Sequence, residues 1–231
     1  MDTIVFDLFH TLVDPEDYRP KDFRRSEYVA DAIGIERDPF WDWWQETIYP
    51  RLTGVTTLTD EVVAYASSKR VGASREDVDR AIFESGRYQR KALDNPRGEV
   101  LSALGNIKSR SISIGLLSNA EEWEMRTFET SPLNDLIDAA THSFQTAFAK
   151  PDLEAYVDII RKLGADPASS IYVANGWDQE LGGARNAGFG LVVFMRGFVG
   201  TNGLSNPDEL QALAAEADET IDDIAELLDL L

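Results

Sequence analysis

The sequence predicts an α/β protein: a doubly wound parallel sheet with a helical insertion after its first strand. Three observations support this fold class. Residues 4–6 form a short β-branched and aromatic run that is typical of a buried strand. Residues 21–93 show helical periodicity and no strand signal. From residue 94 onward, apolar runs alternate with amphipathic helices, which favours βαβ units and a parallel sheet.

The insertion contains four predicted helices, at residues 23–33, 39–49, 60–69 and 75–93. Thr59 and Ser74 are expected N-caps for the last two helices, because each precedes acidic residues in a first helical turn. The helical pattern ends at the turn sequence Asp-Asn-Pro-Arg-Gly of residues 94–98, which predicts a domain junction. We therefore predict one domain from residues 1–16 and 94–231 and a second from residues 17–93.

Beyond the junction, apolar runs predict strands at residues 111–117, 136–140, 171–174 and 191–195. Helices are predicted between and after them, at residues 121–130, 153–163, 180–187, 207–216 and 221–230. No internal repeat and no low-complexity segment interrupts this alternation. The boundary predicted between residues 93 and 94 therefore separates a purely helical part of the chain from a part in which strands and helices alternate.

The composition of the 231 residues limits the possible functions. No apolar stretch approaches the 18 residues of a membrane span, and the N-terminus has no signal-peptide pattern. We therefore expect a cytoplasmic protein that does not bind membranes. The chain has no cysteine, which excludes disulfides and Cys-based zinc sites, and its two histidines are too few for a His-rich metal site.

The formal charge is −19, from 41 acidic and 22 basic residues. A nucleic acid would be repelled by this charge, and the basic residues form nothing larger than local pairs such as Arg24-Arg25. We therefore expect no nucleic-acid partner. The acidic excess is typical of a solvated surface, and it also suits a cytoplasm with a high salt concentration.

The most informative motif lies at the end of the first predicted strand. Ligands of open α/β sheets bind beyond the carboxyl ends of the strands, so Asp7 is expected to face a substrate. The pattern Asp7-x-Phe9-x-Thr11-Leu12 resembles the first motif of the haloacid dehalogenase (HAD) superfamily, in which the aspartate attacks the substrate. Phosphatases of that superfamily have a second aspartate where this chain has Phe9, and usually glycine where it has His10.

A second polar strand end follows residues 114–117 and consists of Ser118 and Asn119. By themselves these residues suggest either an anion-binding site or the N-cap of a helix. Together with Asp7, they resemble the second motif of the superfamily. That resemblance implies that Thr11, Ser118 and Asn119 hold the nucleophile or the carboxylate of a substrate.

The third motif contains Lys150, which precedes a helix that Pro151 is suited to begin. A single lysine is ordinarily a surface charge. Here Lys150, with Tyr156 six positions later, resembles the third motif of the superfamily, in which lysine stabilises the nucleophile and the negative charge of the substrate.

The fourth motif follows the strand at residues 171–174 and includes Asn175 and Asp178. Superfamily phosphatases usually have Gly-Asp and a further acid in this region, and these carboxylates help to bind Mg²⁺. If this chain binds Mg²⁺, its ligands would be Asp7, Asn175, Asp178 and Glu180. An amide is a weaker ligand for a hard divalent cation than a carboxylate, so we favour a site without a metal or other cofactor.

The four motifs occur in the order of the superfamily, and they cover most of the chain outside residues 17–93. This resemblance implies a Rossmann-like core, a helical cap formed by the insertion, and hydrolysis of a small anionic substrate. We expect a monomer or a homodimer, between which the sequence does not decide. A phosphate ester needs a proton for its leaving group and a metal for its charge, whereas a halide leaves without either. The substitutions at Phe9 and Asn175 therefore favour a carbon–halogen bond.

The resemblance to haloacid dehalogenases also includes the Ser118-Asn119 pair and the run Asn175-x-Trp177-Asp178. It implies that Asp7 displaces the halide, that Lys150 stabilises charge, and that Asn175 and Asp178 place the hydrolytic water. Three features differ from that group. Val173 replaces a serine, the helix at residues 39–49 has no halide-binding arginine, and the spacing from Asn175 to the glycines at 182–183 is closer to that of phosphatases.

Several residues of the predicted cap have two possible roles. Trp41, Trp43 and Trp44 could line an apolar substrate pocket, with Trp41 and Trp44 assigned to it, or could form helix packing. Arg51 could contact an anion or could be a helix C-terminal charge. His10, in the loop toward the cap, is assigned to the substrate site together with Phe9, either as an acid or base or as a structural residue.

Three functions remain open from the sequence. The favoured one is metal-independent hydrolysis of a 2-haloacid through an aspartyl intermediate at Asp7. The first alternative is a Mg²⁺-dependent phosphatase with a reduced metal site. The second is a catalytically weakened binding protein that uses its cap as a partner surface.

Overall fold

The computed structural model describes residues 1–231 and contains one six-stranded sheet in which all strands are parallel. The strands are β1 (Thr3–Phe6), β2 (Ser113–Ser118), β3 (Ala139–His142), β4 (Ser170–Ala174), β5 (Leu191–Met195) and β6 (Glu219–Ile221). Their order, β3-β2-β1-β4-β5-β6, confirms the predicted doubly wound sheet. Because β1 is central, the residue that follows it lies between the carboxyl ends of β2 and β4, where the order in which successive strands are added to the sheet reverses.

Seven α-helices separate β1 from β2, and we call the first six of them, within residues 25–94, the helical segment. They are α1 (Arg25–Ile33), α2 (Arg37–Glu46), α3 (Ile48–Leu52), α4 (Leu58–Ser68), α5 (Arg75–Ser85) and α6 (Arg87–Asp94). The apolar faces of α1, α2, α4 and α5 form a hydrophobic cluster of their own, which includes Val29, Phe40, Val62 and Ile82. Ala92 and Leu93 of α6 pack instead in the cluster under the sheet. Trp123, which follows β2 in the sequence, also packs in this cluster and joins it to the sheet.

The remaining helices cover both faces of the sheet. They are α7 (Gly98–Ser109), α8 (Ser143–Thr146), α9 (Leu153–Leu163), α10 (Glu180–Asn186), α11 (Gly197–Thr201) and α12 (Pro207–Glu216). Alternate residues of β1 point to opposite faces. Ile4 and Phe6 pack in the cluster that contains α7, whereas Val5 packs in the cluster that contains α9. No helix of the protein has both the length and the apolar character needed to cross a membrane.

The helix predicted over residues 75–93 is interrupted at Gly86, between α5 and α6. A Cβ atom at Gly86 would lie 2.3 Å from Cζ3 of Trp123. The glycine therefore permits the indole ring to approach the backbone closely. Likewise, the helix predicted over residues 39–49 ends at Glu46, and α3 begins after Thr47, whose hydroxyl donates to the carbonyl oxygen of Trp43 at 2.9 Å.

Two predicted helices of the core were wrong. Residues 121–130 form two short 3₁₀ helices, Glu122–Met125 and Phe128–Thr130. Trp123 packs in the cluster of the helical segment, whereas Met125 and Phe128 pack in the cluster under the sheet, so the three side chains do not share one helix face. Residues 221–230 contribute the end of β6 and the 3₁₀ helix Ile224–Asp229. In both segments the packing contacts of a few apolar residues determine the backbone structure, although the spacing of these residues in the sequence is that of a helix.

His142, at the carboxyl end of β3, is buried without a hydrogen bond to its Nδ1 atom. Its ring packs against Phe128 and Phe144, with centroid distances of 5.4 and 6.1 Å. Burial, helped by the positive charge of Lys162, lowers the pKa of His142 to about 4. The folded protein thus holds this histidine neutral over a pH range in which the unfolded chain binds a proton.

We expect His142→Gln to make the protein less sensitive to acid. The unfolded histidine has a pKa near 6.5, so the folded state loses stability as the pH falls from about 6.5 toward 4, with a slope approaching about 1.4 kcal/mol per pH unit. Urea unfolding at several pH values measures this slope. The two proteins should have parallel profiles above pH 7 and diverge below it. Equal slopes down to pH 4 would show that His142 does not carry this effect.

Candidate active site

Asp7 is nearly buried directly after β1, and its carboxylate is surrounded by hydrogen-bond donors. Nζ of Lys150 donates to Oδ1 at 2.5 Å. The Thr11 hydroxyl and the Asn175 amide both donate to Oδ2, each at 2.9 Å. The backbone N–H of Asp7 donates to the carbonyl oxygen of Val173 on β4, which fixes the position of the side chain at the sheet edge.

Lys150 lies between two buried carboxylates. Its Nζ atom is 2.5 Å from Oδ1 of Asp7 and 2.5 Å from Oε2 of Glu180. Burial by itself would lower the pKa of the Lys150 ammonium, but the charges of Asp7 and Glu180 outweigh burial and raise it. The lysine is therefore protonated at neutral pH.

Burial raises the pKa of Glu180 to about 7, against the opposing effect of the Lys150 charge. The carboxylate also accepts hydrogen bonds from the Tyr172 hydroxyl at 2.9 Å and from the Gly176 backbone at 3.0 Å. Because Glu180 gains its charge near neutral pH, the net charge of the group formed by Asp7, Lys150 and Glu180 changes in the same range.

Asn119 connects the second and third motifs. Its Oδ1 atom accepts from the backbone N–H of Lys150 at 2.8 Å, and its Nδ2 atom donates to the Lys150 carbonyl oxygen at 3.0 Å. The same Nδ2 atom is 2.9 Å from Oδ2 of Asp178. Asn119 thus holds the backbone of Lys150 in place, a positioning role that the sequence did not reveal.

Asn175 and Asp178 follow β4 but have different surroundings. The Asn175 amide donates to Asp7 and to the Phe9 carbonyl oxygen, while its Oδ1 atom accepts from the Trp177 backbone, so all its polar atoms are used within the protein. Asp178 is exposed and has φ of 55°, in the left-handed region that non-glycine residues rarely adopt. Such strain is often found at functional sites.

A cavity of about 720 Å³ opens above Asp7, between the strand ends and the helical segment. Most of the residues predicted for the site line this cavity: Asp7, Phe9, His10, Trp41, Trp44, Asn119, Lys150, Asn175, Asp178 and Glu180. Its volume is within the range of about 300–1,000 Å³ that holds drug-sized ligands. The topology thus brings four separated motifs and part of the insertion to one enclosure.

Two residues predicted to bind the substrate do not line the cavity. Ser118 is buried at the end of β2, and its hydroxyl has no hydrogen-bond partner. Tyr156 is buried among the residues under α10, where its hydroxyl donates to the Glu180 carbonyl oxygen at 2.9 Å. These placements correct the prediction for both: strand and helix direction turn their side chains into the core, where Tyr156 supports the segment that carries Glu180.

The structure distinguishes the two possible roles of the tryptophans and of Arg51 in the helical segment. Trp41 and Trp44 line the cavity, whereas Trp43 stacks on Phe40 at 5.2 Å within the cluster of the segment. Arg51 lies outside the cavity and is fully buried. Its Nε atom donates to Glu121 at 2.9 Å, which makes it an ion pair between the segment and the core.

His10 lines the cavity, as expected for a residue of the substrate site. It is also held by contacts within the protein, as expected for a structural residue. Its Nδ1 atom is 3.1 Å from Oδ1 of Asp14, and its ring lies 4.8 Å from the ring of Trp177. Its φ of 61° is held by a backbone hydrogen bond from its N–H to Val13. The buried Asp14 therefore fixes the imidazole at the cavity wall.

The sequence did not identify several polar residues, in the helical segment or just before it, that line the cavity: Arg19, Arg24, Arg25, Ser26, Tyr88 and Gln89. One signal for them was present. Arg24 and Arg25 occupy the N-cap and first position of α1, where the helix dipole disfavours positive charge. Two arginines at a helix N-terminus are locally unfavourable, and residues that are locally unfavourable often serve a binding function.

The donor set around Asp7 does not fit Mg²⁺. Both oxygens of Asp7 accept hydrogen bonds from an ammonium, a hydroxyl or an amide, and Asn175 presents N–H rather than oxygen to them. Glu180 is bound by Lys150. No group of three or more His, Asp or Glu side chains converges in a way that could hold a metal ion.

Comparison with known proteins places these motifs in a family. A family model described as haloacid dehalogenase-like hydrolase matches residues 1–188. A curated relative, the glyceraldehyde 3-phosphate phosphatase of Methanothermobacter thermautotrophicus, is 27% identical over 105 residues, or 44% of this chain. That match spans about half the length of the relative, 46%.

Solved structures of both reaction classes share the fold. A HAD phosphatase from Thermococcus onnurineus aligns with a TM-score of 0.66 and 17% identity, covering 100% of this chain and 97% of that one. The L-2-haloacid dehalogenase from Xanthobacter autotrophicus, with chloropropionic acid covalently bound, gives 0.60 and 16%, covering 100% and 98%. At these identities the structures show the fold alone. The family model matches most of the chain, so this protein is a haloacid dehalogenase-like hydrolase.

Proposed function

We propose that this hydrolase acts on a small anionic substrate through an ester formed at Asp7, and that the favoured reaction is metal-independent hydrolysis of a 2-haloacid. The Asp7 carboxylate attacks the carbon that carries the halogen, and the halide leaves with the bonding electrons. Water then attacks the ester, regenerates Asp7 and releases the 2-hydroxyacid. The overall reaction consumes one water and yields one halide and one proton.

The observation that carries this proposal is the set of donors around the Asp7 carboxyl group. Hydrolysis of a carbon ester proceeds by attack on the carboxyl carbon, which places negative charge on an oxygen of Asp7. The Lys150 ammonium, the Thr11 hydroxyl and the Asn175 amide are already hydrogen-bonded to those oxygens. Fixed donors of this kind stabilise such charge without reorganisation. Hydrolysis of a phosphoryl-aspartate occurs at phosphorus and does not need them.

Other residues that line the cavity are also compatible with hydrolysis of a carbon–halogen bond. Phe9 lines the cavity and has no proton to donate, which a departing halide does not require. Asp178 is exposed at the cavity wall and hydrogen-bonded to Asn119, where it can accept a proton from the attacking water. Asn175 orients Asp7 rather than the water, because its polar atoms are already bound within the protein.

Residues 17–93 serve as the cap in this proposal. The cap contributes Trp41 and Trp44 to the cavity, and their indole rings keep water away from the reacting carbon. His10 and Phe9 contribute a further part of the cavity wall, where Asp14 and Trp177 hold His10. The substrate binds as a small anion between these walls.

Halide release tests the proposal directly. We expect the protein to release halide from 2-bromo- or 2-chloroalkanoates in buffer that contains EDTA, at the same rate as in buffer with added Mg²⁺. A bromide or chloride assay with both enantiomers measures the rate. An EDTA-sensitive rate would overturn the metal-independent mechanism, and no release from any haloacid would overturn the substrate class.

The second candidate is a phosphatase, and the observation that favours it is the curated relative that acts as a glyceraldehyde 3-phosphate phosphatase. Hydrolysis of p-nitrophenyl phosphate with and without Mg²⁺ tests it. Turnover that requires Mg²⁺, together with no halide release, would replace the favoured reaction by this one. The Asp7 nucleophile is common to both.

A further inference from the structure

We propose that the imidazole of His10 is the base that activates the water that hydrolyses the Asp7 ester. This inference rests on the proposed function, because it names the group that moves a proton in the second step of that reaction. It is carried by the contacts that hold His10 at the cavity wall.

One nitrogen of His10 is held by a buried carboxylate. Its Nδ1 atom is 3.1 Å from Oδ1 of Asp14, whose side chain has no exposed surface. Burial by itself would raise the pKa of Asp14, but its hydrogen bonds with His10 and with the Glu16 backbone lower it. Because the charged Asp14 can only accept a hydrogen bond, Nδ1 carries the proton, and the lone pair of the neutral imidazole is on Nε2.

The second nitrogen, Nε2, is free to act in the cavity. It makes no hydrogen bond within the protein and keeps accessible surface. The side chain of His10 is 13% exposed, and it lines the same cavity as Asp7. A water molecule in the cavity can therefore reach the basic nitrogen.

Asn175 keeps this histidine close to Asp7. Its Nδ2 atom donates to Oδ2 of Asp7 and to the carbonyl oxygen of Phe9, the residue directly before His10, at 2.9 Å in each case. The backbone N–H of Trp177 donates to Oδ1 of Asn175, and the Trp177 ring lies 4.8 Å from the imidazole. His10 does not hydrogen-bond to Asp7 itself, as expected for a base that acts on the carboxyl carbon through one water.

The proton transfers balance. Nε2 takes a proton from water while the water oxygen bonds to the carboxyl carbon of the Asp7 ester. The bond between that carbon and the alkoxide oxygen then breaks, and the alkoxide leaves with the electron pair and takes the proton back from Nε2. The carboxylic acid of Asp7 loses its proton to solvent, which gives the one proton of the overall reaction.

Asp178 is the second group at the cavity wall that can accept a proton from this water. Two differences favour His10. An imidazole is a stronger base than a carboxylate. In addition, Asp178 is exposed and its Oδ2 atom already accepts from Asn119 at 2.9 Å, whereas Nε2 of His10 has no partner. The experiment therefore compares the two residues.

Transient kinetics of His10→Asn test the inference. Asparagine is among the residues that tolerate the φ of 61° at this position, and it has no basic nitrogen. We expect the first turnover of halide release to keep its rate within about threefold and later turnovers to be about 100-fold slower, because the ester forms but is not hydrolysed. Rapid-quench halide assays measure both phases, and mass spectrometry of the quenched protein detects the ester on Asp7.

The matched control is His142→Gln, because His142 is the other histidine and does not line the cavity. It should keep the rates of the unmodified protein in both phases. Equal slowing of the first and later turnovers in His10→Asn, or no slowing of either, would overturn the inference. Accumulation of the ester in Asp178→Asn but not in His10→Asn would also overturn it.

Chemical rescue separates a base from a structural residue. His10→Gly removes the imidazole and suits the left-handed backbone. Added imidazole should speed its later turnovers in proportion to the imidazole concentration, whereas sodium chloride at equal ionic strength should not. Slow later turnovers that imidazole does not restore would contradict a base at this position.

The unmodified protein separates this inference from the proposed function. No halide release by that protein would overturn both the reaction and its base. Halide release by the unmodified protein, without accumulation of the ester in His10→Asn, would support the reaction and overturn the base.

Discussion

Asp7→Asn is expected to lower the rate of halide release by about 10⁴-fold or more, because an amide cannot form the ester intermediate. The variant should still fold. All hydrogen bonds to the Asp7 carboxylate come from donors, so one face of the new amide meets a donor and costs about 1–3 kcal/mol of stability. Steady-state kinetics and urea unfolding measure the two effects, and Asp2→Asn, an exposed aspartate before β1, is the matched control.

An isotope experiment identifies the atom at which water attacks. In a single turnover in ¹⁸O-labelled water, the oxygen of the new hydroxyl group should come from Asp7, and the solvent oxygen should enter the Asp7 carboxylate. Mass spectrometry of the product and of the peptide that contains Asp7 detects both. Label in the product but not in Asp7 would contradict attack on the carboxyl carbon, and residual activity of Asp7→Asn would contradict the nucleophile.

The sequence was sufficient for the fold because its strongest signals are local and periodic. The runs that became β1, β4 and β5 are short, β-branched and apolar, and the helix at Leu153–Leu163 has the predicted bounds. The segment after β2 was not predictable in the same way. Its apolar residues recur at helical spacing, but Trp123 packs against the helical segment and Phe128 against the sheet. The helical segment and the sheet against which these side chains pack determine where the predicted helix of residues 121–130 is interrupted, and a local pattern does not contain this information.

The site was predictable at the level of motifs and less so at the level of roles. Three polar strand ends converge because parallel strands place their carboxyl ends at one edge, and the loop before α9 brings Lys150 to the same edge, so Asp7, Lys150 and Asn175 meet as expected. The direction of each side chain depends on register. One position separates Ser118, which points into the core, from Asn119, which binds the backbone of Lys150.

The helical segment was the least predictable part of the cavity. Arg25 and Gln89 are 64 positions apart and reach the same wall only through the packing of α1 and α6, which no local pattern encodes. The one signal in the sequence was the pair of arginines at the N-terminus of α1, where the helix dipole disfavours positive charge. Contacts between distant helices therefore decide which side chains of the helical segment line the cavity, whereas the strand ends decide the chemistry near Asp7.

Lys150→Met is expected to destabilise the protein by about 3–5 kcal/mol near pH 8, in addition to abolishing turnover. The ammonium is the one cation hydrogen-bonded to both Asp7 and Glu180, and its removal leaves two buried carboxylates without compensation. Lys162→Met is the matched control, since Lys162 is a partly exposed lysine on α9 that pairs with Asp158. It should change the free energy of unfolding by less than about 1 kcal/mol.

The destabilisation should depend on pH in a direction set by Glu180. Its pKa in the folded protein, about 7, is above that of the unfolded chain, so the stability it contributes is complete below about pH 4.5 and is lost as the pH rises through 7. Without Lys150 this pKa rises further, and Glu180 stays protonated, hence uncharged, at pH 5.5. Urea unfolding should therefore show a smaller effect of Lys150→Met at pH 5.5 than at pH 8. An equal effect at both pH values would contradict a buried carboxylate that depends on Lys150 for its charge.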